Sequence, residues 1–345
     1  MNCNEDTLIL IHCVMRHGHK TRDRLTIYPE DPYKFHTFFP YGEGMLTNDG
    51  KTAAYETGKV LRRRYDNFLG EYYFSDLIEA WSTEFERCKA TAQLALTGMF
   101  PPKGEQKWNE ELQWQPVSVQ YRLIDDDQMM VSMARHPVYM KMYYKNFEDG
   151  YGKELLEKQA EMLEYIEKHT GQKITCTRNL IFLRDNLTCV KEFGLELPAW
   201  SEKIYPSQAL DDIAYEEYTM QSYHRGLRRM VSGQLLKKIL TDSVEKTKDN
   251  SKKKMHLYAC HDVNIAGLLI NLGAMYPHVP AYVATVVLEL HKFGDRHGFK
   301  LFYKKNTESN FEVMTFEGDK EVLWLEEYEK IVNDIWTDDE TTEHF

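Results

Sequence analysis

Leu8-Ile9-Leu10-Ile11-His12-Cys13-Val14-Met15-Arg16-His17-Gly18-His19 is the stretch whose reading decides the fold. Leu8 to Met15 is short and almost wholly apolar, which reads as a parallel strand buried on both faces. His12, inside that run, reads as a core group or a support behind the site rather than a catalytic one. In open α/β sheets ligands bind beyond the carboxyl ends of the strands. This strand therefore delivers Arg16 and His17 into a site, and Gly18 lets the backbone turn sharply there. A guanidinium beside an imidazole suits an anionic substrate and a nucleophilic or acid–base histidine.

The chain has 345 residues, 42% hydrophobic and 28% charged, which describes a globular protein of one large domain or a core with a smaller addition. Its net charge of −11 argues against nucleic acid as a partner. It does not exclude a phosphate substrate, because Arg16, Lys20, Arg22 and Arg24 form a local basic cluster. No run of about 20 apolar residues is present, so no membrane partner is expected. None of the six cysteines forms a Cys-x-x-Cys pair, which speaks against a zinc or redox motif. Cys13 and Cys260 read as small core residues, and Cys176 with Cys189 is left open as a loop bridge.

A helix is expected after Thr47, a strand over 77–81, and a second helix capped at Ser82-Thr83-Glu84 and running to Leu96. The aromatic stretch from Tyr28 to Tyr41 reads as a surface loop packed by its own rings or as a cleft wall. Residues 125–205 are rich in Met and charged helical patterns, and read as a helical cap inserted into an α/β core formed by 1–124 and 206–345. A long helical region is expected over 208–240 and a solvated loop over 241–254. Then come a strand over 256–260, a helix over 264–272, and a hairpin of strands 284–291 and 298–304 near the sheet edge.

Three places put polar groups at a strand end or a helix start: the loop from Arg16 to Arg22, Arg87, and His261-Asp262. Helix N-termini favour anions. One assembly uses all three. Guanidinium groups hold a phosphoryl group, an imidazole attacks phosphorus in line, and a carboxylic acid protonates the leaving oxygen. Gly50-Lys51-Thr52 lacks both the spacing and the preceding strand of a P-loop. No Gly-x-Ser-x-Gly elbow or His-Glu-x-x-His zinc site is present.

These residues resemble the histidine acid phosphatase family, its insect venom and lysosomal-type members in particular. The resemblance extends to Leu46-Thr47-Asn48-Asp49-Gly50-Lys51, Trp81-Ser82-Thr83-Glu84-Phe85-Glu86-Arg87-Cys88, Leu197-Pro198-Ala199-Trp200 and Ala259-Cys260-His261-Asp262-Val263, and so to nearly the whole chain in order. It implies a central, mainly parallel sheet flanked by helices, of phosphoglycerate-mutase type. It implies His17 as nucleophile, Asp262 as proton donor, and Arg16, Arg87, His261 and the cation Lys20 as phosphate ligands. It implies no metal and no cofactor, a phosphorylated small-molecule substrate, and a homodimer.

The family signature reads Arg-His-Gly-x-Arg-[Thr/Ser]-Pro, and here Lys20 replaces the second Arg and Arg22 the Pro. Lysine keeps the charge but loses the bidentate fork. One charged hydrogen bond is worth roughly 1.5–3 kcal/mol, or about 10- to 150-fold in rate. Arg22 is expected to compensate by its reach, and His19 with Arg22 to favour a substrate bearing a second anionic group. The expected activity is an acid phosphatase, lowered or retuned by these changes. The alternative is a weak or inactive relative that binds an anionic or phosphorylated ligand. The absence of a leader before the first strand, and of the family's disulfide cysteines other than Cys189, points to the cytoplasm. The sequon Asn186-Leu187-Thr188 points to a secreted or lysosomal chain, which a trimmed mature form would satisfy.

Overall fold

A computed structural model describes residues 7–131 and 136–336. The first strand, β1 (Leu8–Arg16), leads through an irregular stretch to α1 (Asn48–Leu69), β2 (Ile78–Ser82), α2 (Glu86–Met99) and the two-residue β3 (Gln120–Tyr121). Helices α3 (Pro137–Asp149), α4 (Tyr151–Lys158), α5 (Ala160–Thr170), α6 (Thr177–Glu192), α7 (Gln208–Gln221), α8 (Arg225–Arg228) and α9 (Gln234–Thr247) follow. The chain then returns through β4 (Met255–Cys260), α10 (Asp262–Asn271), β5 (Thr285–Phe293), β6 (Arg296–Lys304), β7 (Glu312–Met314), β8 (Leu323–Trp324) and α11 (Leu325–Trp336).

The sheet order is β3-β2-β4-β1-β5-β6-β7, with β8 also on β6. The pairs β3–β2, β2–β4 and β4–β1 are parallel, and β5 onward is antiparallel. The apolar run of β1 follows from its position. Leu10 and Val14 pack on one face with α9, α10 and α11, while Ile11, Cys13 and Met15 pack on the other with α1 and α2. Alternate side chains of one strand thus feed two cores, so no polar face remains.

Thr47 caps α1, accepting from the Gly50 amide at 3.2 Å. Helix α2 starts later than the sequence reading placed it, with Phe85 as its cap. The expected helix over 208–240 is broken at Ser222–His224, and its second half runs on without a break through a widened π-helical stretch at Arg229–Gly233. The expected loop over 241–254 is helical to Thr247, where Ser243 is buried and Lys238 pairs with Asp242 one turn on. The hairpin is β5–β6, but it is no free edge, because β7 and β8 cover β6. Leu210 and Ile213 of α7 share an apolar cluster with α5 and α6, and Tyr28 from the aromatic stretch joins it. Phe38 is also buried, whereas Phe35 and Phe39 stand in solvent. No helix among the described residues is long and apolar enough to cross a membrane.

Candidate active site

The carboxyl ends of β1, β2 and β4 lie side by side, with Arg16 in register with Cys260 and Ser82 with Ala259. The next residues are therefore His17, Thr83 and His261. The His17 amide donates to the Cys260 carbonyl at 2.9 Å, and the Thr83 amide to the Ala259 carbonyl at 3.2 Å. The loop after β1 presses on the start of α1. A Cβ on Gly18 would lie 2.3 Å from the Gly50 carbonyl oxygen, and one on Gly50 would lie 2.0 Å from that of His19. Only two glycines allow that approach.

His17 is buried, and its Nδ1 lies 2.9 Å from the Gly18 carbonyl oxygen. A carbonyl only accepts, so Nδ1 carries the proton and Nε2 keeps its lone pair. Burial foremost, then Arg87, Arg16 and His261, hold this imidazole well below the ordinary histidine range. The Gly18 carbonyl thus fixes the tautomer and leaves the lone pair on Nε2. His261 meets it edge to face, with ring centroids 5.5 Å apart. Burial, Arg87, Arg16 and Lys20 depress His261 in the same way.

Arg16 spans the site. Its Nη2 is 3.1 Å from Asp262 Oδ2, its Nη1 donates to the Pro280 carbonyl, and its guanidinium stacks 4.5 Å from the centre of the Tyr282 ring. Arg87, in the first turn of α2, pairs with Asp23 at 3.2 Å and lies 4.4 Å over the Phe85 ring. The Nε of each arginine is buried with no hydrogen-bond partner. Such donors are costly unless an acceptor meets them. Asp262 opens α10, takes the Val263 amide on Oδ1 at 2.9 Å and the Tyr218 hydroxyl on Oδ2 at 3.1 Å. Asn264 fixes this turn, accepting from the His261 amide at 3.0 Å and donating to the Met130 carbonyl at 2.9 Å.

The structure brings Arg16, His17, Arg87, His261 and Asp262 together. Lys20 lies beside them, but its ammonium is 2.8 Å from Asp185 Oδ2 and 3.7 Å from Cys189 Sγ. His19 lies 3.0 Å from Glu192 Oε2 and 2.6 Å from the Thr47 hydroxyl. Arg22 departs from expectation. It is fully buried, donates to Asp31 at 2.7 Å and to the Tyr33 carbonyl at 2.8 Å, and so neither replaces the missing arginine fork nor meets a substrate. A buried guanidinium needs a fixed counter-ion, and Asp31 supplies it. The Asn186 amide of the sequon is also buried, donating to Asp31 and the Thr26 carbonyl, which closes it to a glycan in the folded protein. Cys176 caps α6 and Cys189 lies 13 residues along it. At 1.5 Å rise per residue they are about 20 Å apart, too far for a disulfide. The five described cysteines are free, and Cys3 lies outside the described residues.

Sequence reading missed Asp23, Thr83, Asp185, Tyr218 and Tyr282 at this site. Of these, Asp23, next to the loop, and Thr83, directly after a strand, carried a local signal. A second group, Glu79, Asp242 and His256, gathers metal-ligating types at the amino ends of β2 and β4. The Lys238 ammonium occupies it, 3.0 Å from Glu79 and 2.7 Å from Asp242.

Residues 8–181 match the histidine phosphatase superfamily (branch 2). The chain is 30% identical to Venom acid phosphatase Acph-1 of Apis mellifera, over 94% of this chain and 84% of that one. It is 26% identical to Prostatic acid phosphatase of Bos taurus, over 90% of this chain and 81% of that one. In three dimensions it resembles the phytase from Citrobacter braakii, with a TM-score of 0.71 at 13% identity, covering 95% of this chain and 98% of the other.

Proposed function

The chain belongs to branch 2 of the histidine phosphatase superfamily and hydrolyses phosphomonoesters through a phosphohistidine; on that premise we propose that His17 is the histidine phosphorylated and Asp262 the proton donor. The observation that carries the assignment is His17 itself, whose Nδ1 meets the Gly18 carbonyl at 2.9 Å so that Nε2 keeps its lone pair, in the field of Arg16 and Arg87.

An incoming phosphoryl dianion exchanges the carboxylate contacts of Arg16 and Arg87 for its own oxygens and satisfies their unpartnered Nε donors. His261, with Thr83 3.2 Å from its Nε2, supplies a further donor. Nε2 of His17 attacks phosphorus as the bond to the leaving oxygen breaks, and protonated Asp262 gives its proton to that oxygen. The phosphoimidazolium keeps its Nδ1–H on the Gly18 carbonyl, which stabilises the positive ring. Water then attacks the phosphohistidine, the Asp262 carboxylate takes its proton, and orthophosphate leaves with His17 restored. The cations lower the barrier by facing the charge that builds on the equatorial oxygens.

Residues 125–205, which include α3 to α6, form the helical cap of this reading, and the substrate is a phosphorylated small molecule. A homodimer is the expected assembly, drawn from the family resemblance and not from the covered hairpin; sedimentation velocity measures it.

The test is hydrolysis of an aryl phosphate from pH 4 to 8 by the wild type, His17→Ala and Asp262→Asn, with acid-quenched phosphoenzyme measured alongside. Turnover and a stable phosphoenzyme are expected in the wild type, and neither in His17→Ala. Asp262→Asn should lose alkyl phosphates more than aryl phosphates, whose leaving groups need less protonation. Full activity in His17→Ala would remove the assignment.

A further inference from the structure

In the loop after β1, Lys20 and Arg22 each already hold a carboxylate, Asp185 and Asp31, and the His19 ring lies 3.0 Å from Glu192. Asp185 and Glu192 come from one helix, α6, with Cys189 between them. Steps of four and three residues put all three on one side of the helix, turned to the loop. Cys189 completes that face, its Sγ 3.7 Å from Lys20 Nζ and 3.5 Å from the Tyr282 hydroxyl.

Asp185 sits within the phosphate-binding charges. Burial pushes its carboxyl up, but Lys20, and beyond it Arg16 and Arg87, pull it below the usual carboxylate range. It is an anion surrounded by the cations that receive phosphate. Glu192 continues the same wall outward, with its side chain 43% exposed.

We propose that this face of α6 is a specificity element. It balances the loop's extra positive charge, so that the site takes substrates with a single phosphoryl group and turns away polyanions such as inositol polyphosphates. The inference rests on the hydrolase reading above and names its substrate class. The first phosphoryl group has Arg16, Arg87 and His261. A second one directed toward this wall finds Lys20 already paired with Asp185 and no free cation among residues 16–22 to receive it, and Glu192 beside it adds a carboxylate of like charge.

Two readouts test it on the full chain. The first is kcat/KM for an aryl phosphate against myo-inositol hexakisphosphate in the wild type, Asp185→Asn and Glu192→Gln. The second is calorimetric binding of myo-inositol hexakis sulfate against inorganic sulfate, which needs no turnover. The wild type should prefer the aryl phosphate by at least 100-fold. Each substitution should raise the polyanion-to-monoanion ratio about tenfold in both readouts. Glu192→Gln alters a half-exposed side chain, so it keeps the test alive should Asp185→Asn fold poorly. A wild type that handles the polyanion as well as the monoester overturns the proposal, as do substitutions that leave the ratios unchanged. Failure to hydrolyse either ester would strike the hydrolase reading alone, since the calorimetric ratio still decides this one.

Discussion

Two residues show how placement, rather than residue type, sets a role. Arg22 looks in the sequence like one more phosphate ligand, but its guanidinium is sealed against Asp31, 2.7 Å away, with the Phe38 ring 5.1 Å from its centre. Breaking a buried pair leaves the other charge stranded, at about 3–5 kcal/mol. Arg22→Met should therefore lower stability by that order in urea denaturation while leaving the KM of the surviving folded enzyme within about twofold; a large KM rise with unchanged stability would contradict it. Tyr218 is the converse case, a buried tyrosine with no motif around it whose hydroxyl meets Asp262 Oδ2 at 3.1 Å. In the proposed mechanism it is a positioning residue for Asp262. Tyr218→Phe removes one hydrogen bond to a charged group, worth roughly 1.5–3 kcal/mol. Turnover of alkyl phosphates should fall more than tenfold, and that of aryl phosphates with acidic leaving groups much less. An equal fall for both, with a shifted melting temperature, would mark it as merely structural.

At the scale of elements, the loop after β1 and the first turn of α1 act as one unit, locked by the close approach of Gly18 and Gly50. Gly50→Ala puts a methyl 2.0 Å from the His19 carbonyl oxygen, which forces the loop away from the helix. Overpacking of this kind costs about 1–3 kcal/mol. Displacement of His17 should cost more than 100-fold in kcat, read from activity at matched folded fraction. The same unit explains what the sequence made legible. Arg16, His17, Arg87, His261 and Asp262 each stand where a strand ends or a helix starts, so local patterns found them. β1 was legible because its neighbours bury both faces, which leaves an uninterrupted apolar run. Asp185 and Tyr218 were not, because they reach the site from helices 165 residues from Lys20 and 44 from Asp262. No spacing in the sequence records such a meeting. The break at Ser222–His224 escaped for a related reason: neither proline nor glycine marks it, and tertiary packing sets where α7 stops.

For the whole molecule, three histidines with depressed pKa values link stability to pH. His12, His17 and His261 are all held well below the ordinary value of 6.5, burial being the first cause in each. The unfolded chain therefore binds more protons than the folded one as pH falls below that value, so stability is full above it and is lost on acidification. Each contributes up to about 1.4 kcal/mol per pH unit in that window. The melting temperature should drop from pH 7 to 5, and inorganic phosphate should restore part of it, since a bound anion favours the protonated rings of the site; a flat profile would contradict the burial. A different consequence follows from the position of β1. The strand is made first, yet its partners β4 and β5 are nearly the last long strands to be made, with Leu10 facing Leu290 and Ile11 facing Met255. At about 5–20 residues per second, this double-faced apolar ribbon waits roughly 15–60 s on the ribosome before its sheet exists. The feature that gives the folded enzyme its core makes the nascent chain a prime client for holding chaperones.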